Sequence, residues 1–184
     1  MALRTLDEFT DHLTTLRAAP RDVGTLSMIV RRPAVGAREV LDVGELDVEL
    51  GLVGDNWLER TTSYARERGT HLKAQLTVTS APMVEFLAGS EEERAQAGDQ
   101  LYLDLHIGRD NLPAGTRLAI GSSAVIEVTD KPHNGCAKFR ARFGDDALEF
   151  VNSPVGQDLR LRGLNAQVVV DGPVRRGDAV TVLR

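Results

Sequence analysis

The stretch LYLDLHI at residues 101–107 decides the fold class, because apolar and polar side chains alternate along it without a break. Such alternation buries one face of a strand and leaves the other polar, as in antiparallel sheets. Seven further segments show the same pattern less clearly: 25–30, 45–50, 76–79, 116–120, 123–129, 165–170 and 179–183. Turn sequences such as LPAG at 112–115 separate them. The pattern therefore predicts a mainly β fold, either a barrel or a sandwich.

The apolar members of these strands form the predicted core. We expect the following side chains to be buried: Leu101, Leu103, Leu105, Leu118, Ile120, Ile126, Val128, Val168, Val180 and Val182. A structure dominated by a parallel sheet with flanking helices would contradict this prediction.

A few helices accompany the predicted strands. Thr5 and Glu8 fit the T-x-x-E capping box, and Pro20 ends the helix predicted over 5–19. Three more helices are predicted at 81–88, 136–151 and 154–161, and the polar segment 60–70 is predicted to be a surface loop. We divide the chain into an N-terminal helix with its lead-in, 1–23, and a β-barrel domain, 24–184.

The composition excludes several classes of protein. The chain has 184 residues with 22 basic and 27 acidic side chains, so its net charge of −5 disfavours general nucleic-acid binding. One cysteine excludes an intrachain disulfide and fits a reducing compartment. No apolar run approaches the ~18 residues needed to span a membrane, and the acidic start does not resemble a signal peptide. We therefore expect a cytoplasmic protein that binds neither nucleic acid nor membrane.

Common cofactor and nucleophile motifs do not occur in the sequence. It has no G-x-G-x-x-G, no G-x-x-x-x-G-K-[ST] and no G-x-S-x-G. The four histidines, at 12, 71, 106 and 133, are not spaced as zinc ligands with one another or with the cysteine. The remaining candidate for chemistry is the cysteine itself.

Cys136 lies in KPHNGCAKFRAR, residues 131–142, where a predicted strand gives way to a predicted helix. With Asn134 as N-cap, Cys136 would lie in the first helical turn, where free amide groups and the helix dipole favour a thiolate. The segment contains bases and no acid: Lys131, Lys138, Arg140 and Arg142. The alternative is that Cys136 is a small buried apolar residue, and that His133 is a polar loop residue rather than a base for the thiol.

Several motifs, taken in order, resemble the MOSC domain, named after the C-terminal domain of molybdenum cofactor sulfurase. They are GLVGD at 51–55, NLPAGTRLAIG at 111–121, AVIEVT at 124–129, PHNGC at 132–136, RGLNA at 162–166 and VRRGDAV at 174–180. The resemblance covers about residues 24–183. It implies a closed, antiparallel MOSC-type β-barrel with a few helices.

The resemblance also implies a role for Cys136. In relatives the matching cysteine carries sulfur as a persulfide or binds the molybdenum of the molybdenum cofactor (molybdopterin). Some relatives reduce N-hydroxylated bases and amidoximes, and others are fused to a pyridoxal-phosphate cysteine desulfurase. Possible partners are therefore a cysteine desulfurase or an electron-donor protein, with the chain itself a monomer or dimer.

These observations define a candidate site and three functional hypotheses. The first is binding of molybdenum cofactor, or sulfur transfer, through Cys136; the second is a molybdenum-cofactor-dependent reductase; the third is a non-catalytic module that binds an anionic ligand. Cys136 is the candidate nucleophile and molybdenum ligand, and His133 the candidate proton-transfer group. The candidate cofactor-binding residues are Asn134, Lys138, Arg140, Arg142 and Arg162.

Overall fold

The structure, a computed structural model, describes residues 3–184. Its strands are β1 (Val23–Arg31), β2 (Glu39–Leu41), β3 (Val43–Asp47), β4 (Gly51–Leu52), β5 (Leu76–Ser80), β6 (Leu101–Asp104), β7 (Arg117–Ile120), β8 (Ala124–Val128), β9 (Leu164–Val170), β10 (Gly172–Arg175) and β11 (Ala179–Leu183). Its α-helices are α1 (Leu6–Arg17), α2 (Ser63–Glu67), α3 (Ala81–Leu87), α4 (Glu91–Ala95), α5 (Ala137–Phe143), α6 (Asp145–Asn152) and α7 (Pro154–Asp158). A 3₁₀ helix spans Thr70–Ala74. None of the helices in residues 3–184 is long and apolar enough to cross a membrane.

Seven strands close into a barrel in the order β11-β7-β8-β9-β5-β6-β1, with β1 pairing back onto β11. The pairing of β5 with β6 is parallel, and the other barrel pairings are antiparallel. Helices α3 and α4 lie between β5 and β6 in the chain, as a parallel connection requires. Strand β2 extends the sheet beyond β1, and β10, β3 and β4 form a second sheet. The predicted mainly β fold with a closed barrel is confirmed.

Two apolar clusters stabilise this arrangement. The barrel interior contains all ten of the predicted core residues, of which the most exposed, Val182, has 8% of its surface accessible. A second cluster lies between the barrel and helices α1, α3, α5 and α6. In it the ring of Phe9 stacks on that of Phe150 at 4.8 Å between centroids. This second cluster fixes α5, the helix that follows Cys136, against the barrel.

The helices differ from the prediction in three places. The capping box of Thr5 and Glu8 is confirmed, and α1 covers Leu6–Arg17. The single helix predicted over 136–151 is wrong: Gly144, with φ of 93°, separates α5 from α6. That left-handed conformation is one that glycine adopts at no steric cost. Segment 60–70, predicted to be a loop, includes the short helix α2, and α4 was not predicted.

Candidate functional site

The loop between β8 and α5 is held in place by two asparagine side chains. Asn165 Nδ2, on β9, donates to the carbonyl oxygens of Lys131 at 3.2 Å and Pro132 at 3.1 Å. Asn152, at the end of α6, accepts from the Gly135 amide at 2.9 Å and donates to the Gly135 carbonyl at 3.3 Å. The loop is therefore anchored both to the barrel and to the helices.

Gly135 brings this loop into close contact with α6. A Cβ atom at Gly135 would lie 2.8 Å from Leu148 Cδ1 and 2.9 Å from Val151 Cγ2. Real Cβ contacts do not occur at such distances, so a larger residue at this position would require a shift of the α6 side chains or of the loop. The packing of Gly135 thus determines where the next residue, Cys136, leaves the loop.

Cys136 is the N-cap of α5, with an extended backbone at φ −131° and ψ 176°, and its side chain is exposed. The helix starts at Ala137, so the expectation that Asn134 caps it and that Cys136 lies within its first turn is wrong. The reason is the pair of hydrogen bonds between Gly135 and the Asn152 side chain, which hold Gly135 outside the helix. The alternative of a buried apolar cysteine is also wrong, because Cys136 is exposed.

The environment of Cys136 favours the thiolate. Partial burial raises the pKa of Cys136, whereas the amide N–H groups of Phe139 and Lys138 lower it. The charges of Arg162 and Lys138 act in the same direction, so the net pKa of Cys136 lies below its ordinary value. The thiol makes no regular cap hydrogen bond to these amides. An exposed thiol at a helix N-terminus with cations nearby is typical of reactive cysteines.

His133, three residues before Cys136, belongs to a buried charge network. Its Nε2 lies 2.8 Å from Oδ1 of Asp99, and the other oxygen of Asp99 lies 2.7 Å from Nη1 of Arg162. Asp99 is fully buried, and Arg162 is 8% exposed. One carboxylate therefore links the histidine of the loop to the arginine that precedes β9.

The ionisation of Asp99 fixes the orientation and tautomer of His133. Burial alone would raise the pKa of Asp99, but the Arg162 charge and the His133 hydrogen bond lower it to about 2. At neutral pH the carboxylate can only accept hydrogen bonds, so the proton of neutral His133 resides on Nε2. The lone pair is then on Nδ1, which is the atom available to take up a proton.

Arg162 connects this network to α5. Its Nη2 donates to the Ala97 carbonyl at 3.2 Å, and its guanidinium lies 5.1 Å from the centre of the Phe139 ring. Its Nε is buried and has no hydrogen-bond partner among residues 3–184. Arg162 thus keeps one unused donor while contributing positive charge near the thiol of Cys136.

A cleft of about 450 Å³ lies beside the loop. His133, Asn134 and Arg162 line it, whereas Cys136 lies outside the lining. Further cations in the lining are Arg109, Lys131 and Arg160. Cys136 therefore lies beside the cleft rather than in its lining, two and three residues after Asn134 and His133.

Comparison with known proteins gives matches among solved structures only. No protein-family model and no curated protein matches the chain. The YuaD protein of Bacillus subtilis superposes with a TM-score of 0.60 at 15% identity, covering 87% of this chain and 95% of that chain. YiiM from Escherichia coli gives 0.54 at 18% identity, with 87% and 70% covered. YiiM from Geobacillus stearothermophilus gives 0.53 at 10% identity, with 90% and 75% covered. These likenesses support a MOSC-like fold.

Within this MOSC-like fold the predicted site residues separate into two groups. His133, Asn134, Lys138 and Arg162 lie around the loop and the start of α5, next to Cys136. Arg140 and Arg142 do not. Arg140 is exposed and forms an ion pair with Asp145, and Arg142 donates through Nη1 to the Gln96 carbonyl.

Asp99, which links His133 to Arg162, is a site residue that the sequence motifs do not indicate. Asp99 is 34 residues from His133 and 63 residues from Arg162, so no local motif shows the connection. The only local sign of a role for Asp99 is its position, separated by one residue from the alternating apolar strand that starts at Leu101. Buried carboxylates need such partners, but the sequence does not show which cations supply them.

Proposed function

We propose that the chain binds the molybdenum cofactor at Cys136, with the thiolate as the protein ligand to molybdenum. The observation that carries this proposal is the exposed thiol of Cys136, whose pKa is lowered at the start of α5. Soft thiolates are suitable ligands for metals with affinity for sulfur. The MOSC-like fold supports the proposal, because the resemblance to the MOSC domain implies this chemistry for the matching cysteine.

The residues around Cys136 fit an anionic pterin cofactor. Arg162 has a buried Nε without a partner in the described chain, and a phosphate or pterin oxygen is the kind of acceptor it lacks. Lys138 adds positive charge on α5, and Asn134 offers amide donors at the edge of the cleft. When bound, the cofactor supplies two-electron redox chemistry; the chain supplies the thiolate, the positive charge and the positioning.

His133 is the proton-transfer residue of this proposal. Asp99 holds its Nε2, so Nδ1 is the basic atom, and the imidazole can take up or release a proton there without changing its position. Asp99 itself is a positioning residue, because it acts through His133 and Arg162. A substrate proton would therefore be exchanged at Nδ1 of His133, a residue that lines the cleft.

Sulfur transfer is a second candidate, favoured by the exposure of Cys136. A thiolate at the surface can be reached by another protein, such as a cysteine desulfurase. The sulfur of Cys136 would attack the outer sulfur of a donor persulfide, forming a new S–S bond. The S–S bond of the donor would break, and the donor would leave as a thiolate without net oxidation or reduction.

The test of the main proposal is the molybdenum content of the protein from a host that synthesises the cofactor. We expect close to one molybdenum per chain in the wild type and almost none in Cys136→Ser. Arg140→Gln, a change on the same helix, should retain the metal. A wild type without molybdenum contradicts the proposal, and metal retained in Cys136→Ser contradicts the role of the thiolate. A wild type that instead gains one sulfur atom from a cysteine desulfurase and cysteine would favour sulfur transfer.

A further inference from the structure

The cleft of about 450 Å³ beside the β8–α5 loop has a second wall, formed by α7 and the residues that follow it. From this side Gln157 and Arg160 line the cleft, and Arg109 lines it from the neighbouring loop. Nε of Arg109 donates to the Gln157 carbonyl at 3.1 Å, and its amide donates to the Asp158 carbonyl at 2.8 Å. We call residues 156–160 together with Arg109 the α7 wall. This wall brings two arginines to the cleft.

Arg160 occupies a position where the backbone favours glycine. Helix α7 ends in a Schellman motif: the Arg160 amide donates to the Gln157 carbonyl at 3.2 Å, and the Leu161 amide to the Gly156 carbonyl at 2.8 Å. Arg160 has φ of 50°, and it is the only non-glycine residue with a positive φ among residues 3–184. Glycine adopts this conformation without the steric cost that a side chain carries. An arginine held here despite that cost points to a role for its side chain.

The two arginines of the α7 wall lack a counter-charge. Their side-chain hydrogen bonds go to main-chain carbonyls, and no carboxylate in the described part of the chain lies within ion-pair distance of either. Nη1 of Arg160 donates to the Leu112 carbonyl at 2.6 Å, which anchors one end of the guanidinium. Burial lowers the pKa of Arg160, and the positive charge of Arg109 lowers it further. Two neighbouring like charges are unfavourable unless an anion offsets them.

The other charges of the lining leave an excess of positive charge. The one acid in the described lining, Asp130, pairs with Lys73 at 2.8 Å, and Arg162 pairs with Asp99. Lys131 also lines the cleft and has no ion-pair partner within residues 3–184. Three cations, Lys131 and the two arginines of the α7 wall, are therefore uncompensated. A phosphate monoester carries a charge of about −1.5 to −2 at neutral pH, so it offsets this excess better than a single carboxylate does.

The cleft also has the size and the apolar surface for an organic group. Pro113, Val151 and Leu164 belong to its lining. Its volume of about 450 Å³ lies within the range of about 300–1,000 Å³ that is usual for small-molecule sites. In such sites apolar side chains supply most of the contact, and a few charged groups fix the orientation of the ligand. A bare inorganic ion would leave the apolar part of this cleft unfilled.

We propose that Arg109 and Arg160 of the α7 wall bind the phosphate of a small phosphate monoester, and that the organic group of the ester fills the apolar part of the cleft. Guanidinium groups bind phosphate oxygens in pairs through parallel hydrogen bonds. The ester is a separate molecule from the cofactor proposed for Cys136, whose contacts are the thiol, Arg162 and Asn134. Cys136→Ser should therefore bind the ester as the wild type does, so that the two proposals can fail separately.

Isothermal titration with phenyl phosphate at low ionic strength tests the proposal. We expect saturable binding by the wild type, and affinities about tenfold or more lower in Arg109→Gln and in Arg160→Gly, because each change removes charge-assisted hydrogen bonds. The matched control is Arg31→Gln, which removes one positive charge from an exposed pair with Glu39 and should bind as the wild type does. Absence of saturable binding by the wild type overturns the proposal. So does an equal loss in Arg31→Gln, which would show a general effect of net charge.

Thermal denaturation separates binding from a structural role of Arg160. Glycine at this position removes the hydrogen bond to Leu112 but also the strain of the positive φ, so Arg160→Gly should remain folded. Phenyl phosphate should raise the Tm of the wild type and not that of Arg160→Gly or Arg109→Gln. An equal rise in the wild type and the variants overturns the proposal. Arg109 is exposed, so Arg109→Gln alone decides the comparison if Arg160→Gly does not fold.

Two further ligands test the chemical class. Inorganic phosphate should bind more weakly than phenyl phosphate, because it leaves the apolar part of the cleft empty. Phenylacetate should also bind more weakly, because it carries a single carboxylate. Equal affinity for inorganic phosphate would contradict the role of the organic group, and equal affinity for phenylacetate would contradict the preference for phosphate.

A comparison of two preparations tests whether the ester and the cofactor are separate ligands. The wild type from a host that synthesises the molybdenum cofactor and the wild type from a host that does not should bind phenyl phosphate equally. Loss of binding in the molybdenum-containing protein would assign the α7 wall to the cofactor and overturn the proposal.

Discussion

Replacing Asp99 with asparagine tests the network that positions His133 and Arg162. The side chain keeps its size but loses its charge, and it can no longer accept hydrogen bonds at both oxygen positions. Arg162 is 8% exposed, so the substitution leaves a buried guanidinium without its counter-charge. We therefore expect a large decrease in the free energy of unfolding at neutral pH.

The size of this decrease in the free energy of unfolding follows from the ion pair of Asp99 with Arg162 and from the lowered pKa of Asp99. Removal of one partner from a buried ion pair costs about 3–5 kcal/mol. The fall in the pKa of Asp99 from 3.8 to about 2 corresponds by itself to about 2–3 kcal/mol. Because the folded-state pKa is the lower one, this stabilisation is complete above pH ~4 and is lost as the pH falls towards ~2.

Urea unfolding of wild type and Asp99→Asn between neutral pH and pH ~3 measures both effects. The difference in the free energy of unfolding should be about 3–5 kcal/mol at neutral pH and should shrink below pH ~4. The control is Asp22→Asn, which breaks an exposed pair with Arg184 and should cost no more than about 1 kcal/mol. The reasoning about Asp99 is wrong if Asp99→Asn is as stable as Asp22→Asn. It is also wrong if the difference in free energy of unfolding between wild type and Asp99→Asn does not depend on pH.

Two further substitutions test the geometry of the loop and of α5. Gly135→Ala should lower the free energy of unfolding by about 1–3 kcal/mol in urea, because its Cβ would overlap side chains of α6; a neutral effect would show that the loop can move. Lys138→Gln should raise the pKa of Cys136 by less than about one unit, measured by the pH dependence of alkylation. Arg140→Gln should leave the pKa of Cys136 unchanged, because Arg140 is paired with Asp145. Equal shifts of the pKa in Lys138→Gln and Arg140→Gln would contradict the placement of Lys138 near the thiol and Arg140 away from it.

The strands could be predicted from the sequence because their pattern is local. Alternation along 101–107 identified side chains such as Leu103 and Leu105, which the barrel buries completely. Closure of the barrel could not be predicted in the same way, since it depends on β1 meeting β11, where Val23 pairs with Thr181. The helix over 136–151 was predicted as one element because the apolar spacing continues across Gly144, whose φ the spacing does not reveal.

The candidate site could be predicted only where its residues are close in sequence. Cys136 and His133 lie in one short segment, and the local excess of positive charge around them is visible there. The roles of the arginines depend on which side of α5 each one occupies: Arg140 faces Asp145, whereas Arg142 reaches Gln96. The positive charge that Arg140 and Arg142 share in the sequence does not show which partner each side chain contacts.

The pH dependence of alkylation of Cys136 by iodoacetamide tests the central claim most directly. The chain has one cysteine, so the folded wild type reports this thiol alone, and Cys136→Ser provides the background. The exposed sulfur and its lowered pKa predict reaction of the folded protein with a midpoint below that of ordinary cysteine, about 8.5. A midpoint at or above that value, or a thiol that reacts only after unfolding, would contradict the account.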